Sequence, residues 1–109
     1  MPRSSRLSRA DFKLMRGFRR IQGRFFSLSF GTIAGRSSPG AAIIVSKKTA
    51  ALAATRNRIK RRGRSVLKEV AQKNDPVLVL VAKKGAAEAA FSDIQKDIQG
   101  LVAHAREAR

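Results

Sequence analysis

The sequence predicts an α+β fold: a small mixed sheet with helices packed on it, in the order αβββαβα, as a two-layer sandwich forming a single domain over residues 1–109. Three observations lead there. One segment around residues 24–33 alternates apolar and polar side chains, two short runs are apolar throughout, and two long segments carry apolar residues at helical spacing. A chain of 109 residues holds one modest core and not two.

Residues 1–7 read as a loose basic lead-in. Ser8 followed by Asp11 resembles a capping box, so a short helix over about residues 9–16 is expected, stopped by Gly17. Over 24–33, Phe26, Leu28 and Phe30 point one way and Phe25, Ser27 and Ser29 the other, which is the pattern of a half-buried strand. Residues 35–40 are turn chemistry and 41–45 a continuous apolar run, so the two strands read as a hairpin. Thr55 is the expected N-cap of a long helix reaching about residue 73, ended by Asn74-Asp75-Pro76. Residues 77–82 are the clearest buried strand, closed by Lys83-Lys84-Gly85. The last helix begins between Ala87 and Ser92; Ile94, Ile98, Leu101 and Val102 form its core stripe, which Phe91 extends backwards.

The chain carries 24 Lys+Arg against 7 Asp+Glu, a formal charge of +17, and self-repulsion on that scale favours a polyanionic partner. The charge peaks at Arg56-Asn57-Arg58-Ile59-Lys60-Arg61-Arg62-Gly63-Arg64, where six of nine residues are cationic. At about 100° per residue, Ile59, Gly63, Val66, Leu67 and Val70 share one arc, and Asn57, Lys60, Arg61, Arg64 and Lys68 share its neighbour. One stripe docks on a core while the other faces phosphates, a phasing that a disordered basic arm does not need. Gly63 costs that helix about 1 kcal/mol against alanine, so tertiary packing must hold it or exploit the close approach that glycine permits.

Several classes are excluded or set aside. With 43% hydrophobic residues in well-patterned segments, the chain is not wholly disordered. The absence of cysteine excludes disulfides, cysteine-ligated zinc and thiol catalysis. No stretch approaches the roughly 20 apolar residues of a membrane span. The Arg- and Ser-rich first twenty residues, with Asp11 their one acid, admit a mitochondrial transit peptide as the alternative to a first helix whose buried stripe is Phe12, Leu14 and Met15.

With the elements placed, the sequence resembles the protein subunit of bacterial ribonuclease P. The matching pieces run in order: Arg6-Leu7 and Asp11-Phe12, Gly23-Arg24-Phe25-Phe26, Val45-Ser46-Lys47-Lys48, the basic segment with its Arg56-Asn57-Arg58 core, and Val79-Leu80-Val81-Ala82-Lys83-Lys84-Gly85-Ala86. The resemblance implies a fold like the second domain of ribosomal protein S5, with two parallel strands joined through the basic helix by a left-handed βαβ crossover. Periodicity could not have suggested that hand, since about 98% of such crossovers are right-handed. It implies a cytoplasmic protein that is not itself the catalyst. A large RNA subunit with bound Mg2+ removes the 5′ leader of precursor tRNA, and the protein binds both that RNA and the leader. It implies no cofactor held by the protein alone, no membrane and no obligate protein partner. A small structural RNA-binding protein, such as a ribosomal component, is the rival reading, and a membrane-active basic protein the third.

The residues expected to bind RNA are Lys47, Lys48, Arg56, Asn57, Arg58, Lys60, Arg61, Arg62, Arg64 and Lys68. Lys60, Arg61 and Arg64 should act mainly on phosphates. Asn57 either fixes the helix start or hydrogen-bonds RNA, and Lys47 and Lys48 either protect a strand edge or extend the phosphate surface. The resemblance places the leader strand in a groove between sheet and first helix, with Phe12, Arg16, Phe25, Ser27 and Ser29 as its residues. Arg16 and Ser29 stand where the family often has aromatics, so this groove should rely more on charge than on stacking. Phe26 and Phe30 are assigned to the core. No residue is assigned a catalytic or metal-ligating role: His104 has no partner in sight, and Asp93 and Asp97, at i and i+4, read as two acids on a solvent face.

Overall fold

The computed structural model describes residues 18–31, 40–70, 72 and 76–108. The lead-in at 1–7, the helix expected at 9–16 with Phe12 and Arg16, and the turn at 35–39 lie outside the described residues. Four strands and two helices follow: β1 Arg19–Gln22, β2 Phe26–Gly31, β3 Ala41–Ile44, α1 Ala53–Val70, β4 Val77–Ala82 and α2 Phe91–Ala108.

The strands form one mixed sheet in the order β1-β2-β4-β3. β1 and β2 are antiparallel, with Arg19 opposite Phe30 and Gln22 opposite Ser27. β2 and β4 are also antiparallel, from Phe26 opposite Ala82 to Gly31 opposite Val77. β3 runs parallel to β4, with Ala41 beside Leu78 and Ile44 beside Val81. The hairpin expected between 24–33 and 41–45 is therefore corrected: β4 lies between those two strands, and β2 forms its hairpin with β1 instead. The physical reason is visible in β4, whose Val-Leu-Val-Leu-Val-Ala offers apolar side chains to both faces of the sheet. Such a strand is stable only in the interior. β3, with Ile44 41% exposed, takes the edge.

One face of the sheet carries Phe26, Leu28, Phe30, Ile43, Leu78 and Leu80, and both helices cover it. α1 contributes Ile59, Val66 and Leu67, and α2 contributes Ile94, Ile98, Leu101 and Val102. Phe26, Leu28, Leu80, Ile94 and Ile98 have no solvent contact, which makes this layer the main hydrophobic driving force. On the opposite face Val77 and Val79 are buried, with Phe18 and Val81 against them. On that face Ser27 is only 7% exposed and Ser29 half-buried, so this side of β2 is less open than its alternation suggested.

α1 starts two residues before Thr55, which falls inside the first turn and is not the N-cap. The guanidinium of Arg56 reaches back instead, donating to the carbonyls of Ala50 (2.9 Å) and Ala51 (2.8 Å) and tying the preceding loop to the helix. At the other end Arg106 of α2 donates to the carbonyl of Val70, the last described residue of α1, and the stop expected at Asn74-Asp75 lies outside the described residues. Gln95 of α2 also donates to the Glu69 carboxylate at 3.3 Å. The basic helix is thus anchored at both ends and along its apolar stripe.

Candidate nucleic-acid interface

The expected arcs of α1 are realised. Ile59, Gly63, Val66 and Leu67 are buried, while Asn57, Arg61, Arg64 and Lys68 are exposed and Lys60 half-buried beside them. Gly63 sits where α1 presses on β3: a Cβ there would lie 2.7 Å from Ile43 Cδ1. Close approach is the glycine's use, and it serves the core.

The cations of α1 divide into two sets. Arg56, Arg58 and Arg62 donate to backbone carbonyls: Arg56 to the loop before the helix, Arg58 to Ala87 (3.2 Å) and Arg62 to Ala89 (3.4 Å). Arg58 and Arg62 are i, i+4 neighbours on the flank facing the 83–90 loop, so their fixed forks grip that loop. A carbonyl is no counter-ion, and these three side chains keep their charge. Lys60, Arg61, Arg64 and Lys68 form the second set and have no hydrogen bond or ion pair with any described residue. α1 has no acid in its first turn, so nothing offsets the positive end of the helix dipole there.

Lys47 and Lys48 are exposed in a turn beyond the last residue of β3, off the strand ladder, so they do not guard its edge. Thr49 N–H donates to Ser46 O (3.1 Å) and to Ser46 Oγ (3.2 Å), fixing the turn. Thr49 Oγ1 donates to Ala82 O at 3.4 Å and pins the turn to the end of β4. The structure therefore brings Lys47 and Lys48 to the start of α1, where Asn57 is exposed.

Of the groove residues, Ser27 and Ser29 share the sheet face opposite the helices, paired with Val81 and Val79 on one side and with Gln22 and Arg20 on the other. Phe25 is set apart from them. It packs against the main core just before β2, with the Arg24 guanidinium 5.1 Å from its ring centroid.

Sequence reasoning missed Asp97. Its Oδ1 accepts the N–H of Arg24 (2.8 Å), and its Oδ2 accepts those of Phe25 (2.9 Å) and Phe26 (3.0 Å). A Cβ on Gly23 would lie 2.7 Å from both Asp97 Oδ1 and Phe26 O, so only glycine allows the carboxylate this close. Lys83 Nζ completes the clamp by donating to Gly23 O at 2.8 Å. Asp97 is thus a structural acid and not part of a solvent face, although Asp93 is exposed as expected; His104 is exposed too. The adjacency of Gly23 to an aromatic strand was the one available signal, and it did not indicate the partner. Among the described residues, no three His, Cys, Asp or Glu side chains gather where they could hold a metal ion. No helix there is long and apolar enough to cross a membrane.

The fold and its basic helix match known proteins. The Staphylococcus aureus ribonuclease P protein, solved at 2.0 Å, superposes with a TM-score of 0.81 over 94% of this chain and 95% of its own, at 23% identity. The Thermotoga maritima ribonuclease P protein gives a TM-score of 0.74 over 91% of this chain and 96% of its own, at 22% identity. No curated protein sequence matches. The family model for ribonuclease P matches residues 1–106, from the N-terminus to within the last turn of α2. The chain therefore belongs to the ribonuclease P family as its small basic protein subunit, and RNA binding and tRNA processing come with that membership.

Proposed function

We propose that this protein is the positioning and charge-supplying subunit of a cytoplasmic ribonucleoprotein. Its RNA subunit carries out the cleavage that removes the 5′ leader of precursor tRNA. The observation that carries this reading is the outward row of Lys60, Arg61, Arg64 and Lys68 on a helix fixed at both ends. A row of cations on a fixed helix meets RNA phosphates without a backbone ordering cost and releases counter-ions on contact. Lys47, Lys48 and Asn57 continue that surface around the start of α1, and the charges of Arg56, Arg58 and Arg62 add to its field while their forks hold the loops.

The groove that takes the leader strand uses the sheet face with Ser27 and Ser29, together with Phe12 and Arg16 of the expected first helix. With Ser29 and Arg16 standing where the family often has aromatics, the leader is held by phosphate and ribose contacts more than by stacked bases. In this reading the Mg2+ of the holoenzyme goes with its RNA subunit. The chain's own part is orientation of the substrate and relief of repulsion between two large RNAs.

The test is cleavage of a precursor tRNA by the cognate RNA subunit at low magnesium, with this protein, without it, and with an unrelated protein of equal charge. Rescue by this protein alone is the expected result. Equal rescue by the unrelated protein would reduce its role to charge screening, and no rescue would favour a structural RNA-binding role elsewhere.

A further inference from the structure

The Gly23-Arg24-Phe25-Phe26 segment is built with more care than a β-turn needs. Three successive N–H groups converge on one carboxylate, the glycine is required by that carboxylate's position, and Lys83 braces the turn from the opposite side. What this clamp presents to solvent is the Arg24 side chain, exposed and laid over the Phe25 ring at 5.1 Å. A guanidinium held against an aromatic face loses little freedom when its N–H edge meets an anion. The two Asp97 oxygens are already engaged by the three backbone donors, and the Arg24 fork is directed elsewhere.

The place matters as much as the posture. β2 begins and β4 ends at the same edge of the sheet, since Phe26 pairs with Ala82. Lys83 N–H donates to Phe25 O at 2.8 Å, so the exposed Lys84 follows directly beside the turn. The turn with Lys47 and Lys48 is pinned to Ala82 at that edge too. Arg24, Lys47, Lys48 and Lys84 therefore share the end of the sheet where β2 begins and β4 finishes.

We propose that Arg24 is an RNA-phosphate contact on this end of the sheet, and that Asp97 is the positioning residue that sets its posture. The proposal rests on the RNA-binding reading above and extends its contact surface to the β1–β2 turn. It assigns α2, which carries no RNA-facing row of its own, a role in binding through the hairpin it clamps.

The test is binding of the full-length protein to the cognate RNA subunit across a salt series. Arg24→Ala should weaken binding about tenfold, as expected for loss of one charge-assisted contact at an exposed site, and lower the magnitude of the log-salt slope by about 1. Arg24→Lys should keep the slope but recover only part of the affinity, because an ammonium has neither the fork nor the stack. Asp97→Asn turns one acceptor into a donor facing backbone N–H, and should weaken binding several-fold. In an Arg24→Ala background it should change nothing further. Should Asp97→Asn reduce the folded fraction by circular dichroism, Phe25→Leu replaces it, removing the ring beneath the guanidinium while keeping apolar volume. Additive losses from Asp97→Asn and Arg24→Ala would overturn the positioning role. An unchanged Arg24→Ala, alongside weakened binding by Arg61→Ala with Arg64→Ala, would overturn the contact and leave the family reading intact. If neither variant weakened binding, the RNA-binding surface itself would be misassigned, and this proposal with it.

Discussion

Gly63→Ala, made both in the native chain and in Ile43→Val, isolates the one place where the basic helix and the sheet touch at a glycine. Alanine in place of glycine inside a helix gains about 1 kcal/mol from propensity alone. In the native chain the new Cβ would stand 2.7 Å from Ile43 Cδ1, while Ile43 Cγ1 and Cγ2 are both at an ordinary 3.7 Å. Only the end of one flexible side chain must move, so the overpacking cost falls near the low end of its range, about 1 kcal/mol, and the net change should be close to zero. Ile43→Val deletes the clashing carbon and by itself costs about 1 kcal/mol. In that background the propensity gain is unopposed and Gly63→Ala should stabilise by about 1 kcal/mol. The two substitutions should therefore couple by roughly 1 kcal/mol in a double-mutant cycle, read by urea unfolding followed by circular dichroism. Equal effects of Gly63→Ala in both backgrounds would refute the idea that helix–sheet contact decides this position. Gly63→Leu, which a merely tolerated glycine would welcome, should destabilise both proteins, since the larger side chain has nowhere to go but the core.

The division of the α1 cations gives a matched pair of experiments. Arg61→Ala with Arg64→Ala should leave the urea midpoint unchanged, weaken binding to the RNA subunit and lower the magnitude of its log-salt slope by roughly 1–2. Arg58→Ala with Arg62→Ala should lower stability by about 1 kcal/mol through loss of the bonds to Ala87 and Ala89, a shift measured in the same urea titration. Asp97→Ala leaves three backbone N–H groups without their acceptor and should cost about 2–3 kcal/mol, visible as a lower unfolding midpoint. If Gly23→Ala instead proved neutral by the same measurement, the clamp would be looser than its geometry indicates.

What could be read from the chain followed from repetition. The buried and exposed arcs of α1 were legible because Ile59, Gly63, Val66 and Leu67 recur at helical spacing. The stripe of α2 was legible for the same reason, and the alternation of β2 gave the core face of Phe26, Leu28 and Phe30. Strand neighbours were another matter. Nothing in residues 41–45 says which strand they will lie beside, and adjacency in sequence pointed to β2; the doubly apolar β4 took the place between them. β1, with Ile21 the only apolar residue in Arg-Arg-Ile-Gln, has no period to read. Asp97 was illegible for a different reason. Its partners are backbone N–H groups, which every residue but proline carries, so no pattern of side chains could name them. The separation of Arg56, Arg58 and Arg62 from the other cations was hidden likewise, because carbonyls of Ala50, Ala51, Ala87 and Ala89 leave no mark on the sequence.

The interior position of β4 has a consequence for how the molecule is made. Both of its neighbours precede it in the chain, and β3 reaches it only across the whole of α1, so no sheet larger than the β1–β2 hairpin can close until Ala82 has been synthesised. The most cationic stretch precedes β4 in the chain, so its apolar stripe has no completed sheet to dock on until β4 has joined. Pairings this distant along the chain are slow to find, because loop closure must precede any reward. A polyanion that neutralised Arg56–Arg64 during that interval would hasten the docking of α1 by removing the repulsion that opposes it. Docking of the basic helix and completion of the sheet are then opposed by the same repulsion, and both are eased by the same counter-charge.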